Sequence, residues 1–163
     1  MRIFGLVQDS IVDGPGFRFA CFVQGCPHRC PGCHNPDSHD PGGGRVMTVE
    51  DVTREMLKNP LTDGLTLTGG DPFAQPEDCL ALAHAAREHG LNVWAYSGWT
   101  FEYLRDQGSE GQKALLAALD VLIDGPFILE QRSLALPWRG SRNQRVIDVP
   151  ASLAAGEAVV IPD

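Results

Sequence analysis

Three thiols fall within eight residues, in the run Cys26-Pro-His-Arg-Cys30-Pro-Gly-Cys33. Spacings of four and then three positions let one loop wrap three corners of a cubic iron-sulfur cluster, and no nearby cysteine serves the fourth. Clusters that only carry electrons are ordinarily held by four cysteines. A three-cysteine set therefore leaves one iron with an open position, where a substrate or cofactor can coordinate, and the site is reactive. Structural zinc completed by His28, His34 or His39 is one alternative, although zinc sites more often use paired C-x2-C knuckles. A set of inert buried thiols is another, but Pro, His, Arg and Gly around the cysteines are poor core material. Cys21, in an alternating strand, and Cys79, on a helix face, are expected in the core. His84 and His89 are expected on a solvated helix.

These thiols must be positioned by regular elements. Alternation in residues 3–8 and 17–25 predicts two strands separated by the turn Asp13-Gly14-Pro15-Gly16, so the cysteines lie in a loop just past a strand. Prolines and glycines crowd residues 25–44, which predicts an irregular loop held by an external constraint such as a metal cluster. Thr48 and Asp51 form a capping pattern ahead of Val52, Met56 and Leu57, and Pro60 ends that helix. Residues 65–68 predict a strand ending in Gly69-Gly70-Asp71-Pro72. A helix follows, entered through Pro76, with Leu80, Ala83, Ala86 and Arg87 at helical spacing, and Gly90 stops it. Residues 92–98 predict a strand, a helix starts near Thr100, a second helical piece covers 113–119, and 120–127 reads as a buried strand. This alternation predicts an α/β fold with a mainly parallel sheet. Residues 136–144 read as a surface loop and 145–149 as a last short strand; 158–163 carry no signal, and no internal repeat is found.

Length and charge set the outer bounds. A chain of 163 residues predicts a single domain over 1–163. A complete eight-fold βα barrel takes about 250 residues, so any barrel here is partial and open. The balance of 21 acidic against 13 basic side chains, a formal charge of -8, points away from duplex nucleic acid. No stretch reaches the roughly 18 apolar residues of a membrane span, and the first ten residues lack a cleavage-site pattern. Five cysteines, three of them clustered, suit reduced thiolates better than a disulfide framework. A cytoplasmic location is expected.

The C-x3-C-x2-C spacing followed by a strand ending in Gly-Gly-Asp-Pro resembles the radical S-adenosylmethionine (SAM) superfamily. The strings VDGPGFR (Val12 to Arg18), CPGCHNP (Cys30 to Pro36), LTGGDP (Leu67 to Pro72), IDGPF (Ile123 to Phe127) and PWRGSRNQ (Pro137 to Gln144) narrow the resemblance. With the short length, they are similar to the family that activates anaerobic ribonucleoside-triphosphate reductase. VDGPGFR also resembles activases of other glycyl-radical enzymes such as pyruvate formate-lyase, which are usually longer and lack the last string. A non-catalytic iron-sulfur or zinc binding module is the remaining alternative, and it would not cleave SAM.

The resemblance implies a partial, open (β/α) barrel of the radical SAM type. It implies one [4Fe-4S] cluster per chain on Cys26, Cys30 and Cys33, with SAM chelating the fourth iron through its amino and carboxylate groups. An electron from a low-potential donor such as flavodoxin or ferredoxin then cleaves SAM to methionine and a 5'-deoxyadenosyl radical. That radical removes a hydrogen from a glycine Cα in the glycyl-radical subunit of the reductase. Gly69 and Gly70 would permit close approach to the SAM methionyl group, while the Asp71 carboxylate or its neighbouring carbonyls receive the ammonium. Without the cysteines this string reads as an ordinary strand-ending turn. Many superfamily members carry an aromatic residue just before the third cysteine, Cys33, to pack near adenine; this chain has Gly32. The subgroup's usual tyrosine after it is His34, whose imidazole can pack against adenine. Ser97, at a strand end, is placed to bond ribose or to satisfy its own turn. Asp13, Arg18, Trp138 and Arg139 read as architecture or partner docking. No catalytic side chain is expected beyond the cluster and SAM.

Overall fold

The computed structural model describes residues 1–163 and is built on one open seven-stranded sheet. The strands are β1 (Arg2–Ser10), β2 (Arg18–Val23), β3 (Arg45–Val46), β4 (Gly64–Gly69), β5 (Asn92–Tyr96), β6 (Val121–Asp124) and β7 (Arg145–Asp148). They lie in the order β3-β1-β2-β4-β5-β6-β7. β2, β4, β5 and β6 are parallel, and β1 and β7 flank them antiparallel. The architecture is mixed α/β, as the alternation predicted. Parallel neighbours need crossover connections, supplied by α1 (Val49–Met56), α2 (Pro76–Glu88), α3 (Phe101–Asp106) and α4 (Glu110–Ala117), while α5 (Val149–Ala155) follows β7. No helix is long and apolar enough to cross a membrane.

Strand periodicity divides the sheet into two faces. Phe19, Cys21 and Val23 of β2, Leu65 and Leu67 of β4, and Val93 and Ala95 of β5 point into the main core with Leu82, Phe101, Leu115 and other helix residues. Val52 and Met56, one helical turn apart, are both fully buried there. Burying each such large side chain is worth about 1.5 to 3 kcal/mol. The opposite face carries a smaller cluster of Trp94, Val121, Ile123 and Val146, against which Tyr96 and Trp138 pack. Helix ends follow sequence signals: Thr48 Oγ1 accepts the Asp51 N–H at 3.0 Å, and Ser109 and Gln112 form a reciprocal capping box.

Three local features go beyond the sequence reading. Residues 25–44 are held in part by their own hydrogen bonds: the Gln24 amide donates to the carbonyls of Asp37 and Asp40 at 2.9 and 2.8 Å, and the Gly25 N–H reaches Ser38 O at 2.6 Å. An external constraint is left to act on the cysteine-bearing half. The segment after β7 is helical, started by Asp148 accepting the Ala151 N–H at 3.0 Å and ended by Gly156 at φ 75°, where a residue without Cβ adopts the left-handed region freely. Residues 158–163 add a further rung to the sheet, because Val160 bridges Ile147 and Ile161 N–H reaches Val146 O at 2.7 Å.

Candidate functional site

A cavity of ≈ 570 Å³ opens beside the carboxyl ends of β2, β4 and β5, on the face away from the helices, and all three clustered cysteines line it. That volume lies within the usual range for small-molecule sites, about 300 to 1,000 Å³. Cys33 N–H donates to Cys30 O at 3.1 Å, and Asn35 N–H donates to Cys33 Sγ at 3.4 Å. Burial pushes the Cys26 thiol above its ordinary value of 9.0, opposed by backbone N–H groups of His28 and Arg29. Three thiols facing one cavity form a soft sulfur donor set of the kind that an iron-sulfur cluster takes. Cys21 and Cys79 are fully buried in the core, and burial pushes the Cys21 thiol from 9.0 up to about 12. His84 and His89 are exposed.

Gly69 and Gly70 line the cavity, but the chain itself explains their missing Cβ atoms. A Cβ on Gly69, whose φ is +100°, would lie 2.5 Å from Val23 N and 2.7 Å from Phe22 C; one on Gly70 would strike the Gly25 carbonyl and come within 3.0 Å of Ser38 O. Their identity secures the close approach of β4 to β2 and to the start of the cysteine loop.

The Asp71 carboxylate is only 1% exposed and is turned away from the cavity. It accepts from Ser97 Oγ at 2.9 and 3.1 Å, Gly98 N–H at 2.9 Å, Phe73 N–H at 2.9 Å and His28 Nε2 at 2.7 Å. Four donors occupy it, so the carboxylate, one of the two acceptors anticipated for the ammonium, is committed to hydrogen bonds within the chain. Ser97 lines the cavity, yet its hydroxyl donates to Asp71 and accepts the Trp99 N–H at 3.0 Å. This is the geometry of a satisfied turn serine.

Gly32 lies outside the cavity lining. Its φ of +74° turns the loop, and a Cβ there would meet Leu129 Cδ1 at 2.8 Å. His34 does line the cavity, with its ring tilted against Phe127 at 5.4 Å. Phe127 supplies the aromatic wall absent at position 32. The sequence carried it only inside the string IDGPF.

Residues 136–144, expected as a surface loop, cross the cavity face instead. Tyr96 Oη donates to Trp138 O at 2.8 Å, Trp138 packs edge-on to Trp94 at 6.0 Å, and Gln144 Oε1 accepts the Gly140 and Ser141 N–H groups at 2.9 and 3.2 Å. Trp138 and Arg139 line the cavity, as does Asp13. Arg18 is fully buried beneath it, donating to Thr66 Oγ1 at 2.7 Å, Leu65 O at 2.9 Å and Pro15 O at 3.1 Å. Burial pulls its guanidinium from 12.5 down to about 10, leaving it charged at neutral pH.

A family described as a 4Fe-4S single cluster domain matches residues 12–147. An anaerobic ribonucleoside-triphosphate reductase-activating protein of Vibrio cholerae is 39% identical over 143 residues, covering 83% of this chain and 90% of that protein. Proteins of the same description from Haemophilus influenzae, 37% identical over 145 residues (83% and 90% covered), and Enterobacteria phage T4, 34% identical over 144 residues (84% and 87%), are also similar. The chain belongs to this family of activating proteins. The 4Fe-4S match begins at Val12 and ends in β7, so the activating-protein family's iron-sulfur domain spans both the cysteine loop and the segment that crosses the cavity.

Proposed function

We propose that this chain is a radical SAM enzyme that installs a glycyl radical on anaerobic ribonucleoside-triphosphate reductase. In this reading residues 1–163 form one radical SAM domain, and the open sheet is a partial (β/α) barrel. The observation that carries it is convergence: Cys26, Cys30 and Cys33 face the same cavity as the Gly69-Gly70 turn, in a chain whose relatives are named for activating that reductase.

Cys26, Cys30 and Cys33 would hold the cluster, which, bound together with SAM and reduced, would supply the electron for SAM cleavage and so the radical chemistry that acts on a reductase glycine Cα. The chain's own residues orient and shield. The turn at Gly69 and Gly70 offers carbonyls to the N–H groups of the SAM amino group. Phe127 and His34 present aromatic faces to the adenine. The segment carrying Trp138 and Arg139 covers part of the cavity, and the reductase's glycine-bearing loop completes the wall and excludes water. In this reading the protein works in the cytoplasm and takes its electron from a low-potential donor such as flavodoxin or ferredoxin.

The test is anaerobic reconstitution followed by reduction with SAM and candidate glycyl-radical enzymes. A glycine-centred electron paramagnetic resonance (EPR) signal on the reductase is expected. A signal on pyruvate formate-lyase and none on the reductase would overturn the partner, and no SAM cleavage at all would overturn the enzyme reading.

A further inference from the structure

We propose that His28 is a positioning residue, which sets the cysteine loop against the cofactor-binding turn through its hydrogen bond to Asp71; the proposal rests on the radical SAM reading above. His28 lies between Cys26 and Cys30, and its Nε2 is 2.7 Å from Asp71 Oδ2, with side-chain exposures of 17% and 1%. Asp71 follows the Gly69-Gly70 turn and is held from the end of β5 by Ser97 Oγ and Gly98 N–H, each at 2.9 Å. One buried carboxylate therefore joins three segments that surround the cavity.

The imidazole is also fixed by packing. It meets Trp99 edge-on at 4.6 Å, and a Cβ on Gly98 would lie 2.7 Å from His28 Cγ, so Gly98 makes room for the ring. His28 itself does not line the cavity and acts through Asp71.

In the radical SAM reading the methionyl end of SAM is held by two groups at once, the open iron on the cysteine loop and the carbonyls of the glycine turn. Both are used at once only if loop and turn are in register, and an error of about 1 Å in such an arrangement can cost about a hundredfold. Cluster assembly needs the three cysteines alone. Loosening the joint thus separates two properties that a general folding defect would lower together.

The experiment uses the full chain, reconstituted as wild type, His28→Phe and His28→Gln. Phenylalanine keeps a ring against Gly98 and Trp99 without a donor, whereas glutamine returns an N–H near the Nε2 position. Iron and sulfide contents are expected to match wild type in both. SAM affinity, read from the change SAM makes in the EPR signal of the reduced cluster, is expected to fall about tenfold in His28→Phe and to recover to within about threefold in His28→Gln, the scale of one charge-assisted hydrogen bond. His28→Phe binding SAM within about twofold of wild type, the two variants being equally impaired, or loss of cluster from His28→Phe would each overturn the assignment. Failure of the wild type to bind SAM would instead overturn the underlying radical SAM reading, and this inference with it.

Discussion

The Tyr96 hydroxyl donates to the backbone carbonyl of Trp138 at 2.8 Å and so ties the end of a parallel strand to the segment crossing the cavity. Trp138 holds a φ of 65°, a region that costs a non-glycine residue roughly 1 to 2 kcal/mol. Burial holds the Tyr96 hydroxyl above its ordinary range, so it remains a donor at neutral pH. Tyr96→Phe should lower stability by about 1 kcal/mol in denaturant titration and reduce glycyl-radical yield more than SAM cleavage. Equal losses in both activities would contradict a role for this tie in covering the cavity.

Single Cys26→Ala, Cys30→Ala and Cys33→Ala variants should each lose the intact cluster, as iron and sulfide assays after anaerobic reconstitution would reveal. Cys21→Ala and Cys79→Ala should retain it, with a stability cost of roughly 1 kcal/mol for a small buried group. Wild-type cluster content in all three loop variants would sink the ligand assignment.

At Gly70 the expected damage is to the fold. A Cβ there meets the Gly25 and Ser38 carbonyls, so Gly70→Ala should lower stability by about 1 to 3 kcal/mol, the usual range for overpacking. Thermal unfolding of the protein without cluster would register this directly. An unchanged melting temperature combined with weaker SAM binding would show that the glycine serves the cofactor instead.

Alkali should destabilise the protein through its core thiols. Burial raises the Cys21 thiol from 9.0 to about 12, and burial moves Cys79 the same way. The folded chain keeps protons that the unfolded chain releases, so this stability is complete below about pH 9 and is lost as pH rises toward about 12. Denaturation midpoints should fall across that window, and the double variant Cys21→Ala, Cys79→Ala should show a flatter decline. Parallel declines would refute the thiol origin.

Val12 is 72% and Leu134 95% exposed, and both stand at the cavity. Val12→Asp and Leu134→Glu should spare cluster content and SAM binding while reducing the EPR signal on the reductase severalfold, because charge at a contact that excludes water must be desolvated. A full signal in both variants would move the docking surface elsewhere.

The cysteine site was legible because its information is local: one short loop fixes the spacing of three thiols, and all three reach one cavity. Core positions such as Val52, Met56, Cys21 and Cys79 were likewise encoded in periodicity. Asp71 was not, since three of its donors come from His28, Ser97 and Gly98, respectively 43, 26 and 27 positions away. Folding decides which oxygens remain for a ligand. The 136–144 segment misled for a related reason: its polar residues bond within the segment and to nearby backbone, as Gln144 does with Gly140, Ser141 and Gly125, so it can cover the sheet face while reading as solvated. α5 is seven residues long, too short for periodicity to separate it from the strand before it.

The parallel strands β2, β4, β5 and β6 succeed one another across the sheet in chain order. Doubly wound sheets bind nucleotides in a crevice where that order reverses. Right-handed crossovers that always advance in one direction keep placing their helices on the same side, so these strands form no such crevice. On the proposed function, an incoming polypeptide would meet the breadth of the sheet, where Phe22, Thr68 and Tyr96 line the cavity in adjacent strands. On ground of that shape, a residue without a side chain can bring its Cα nearer than any other.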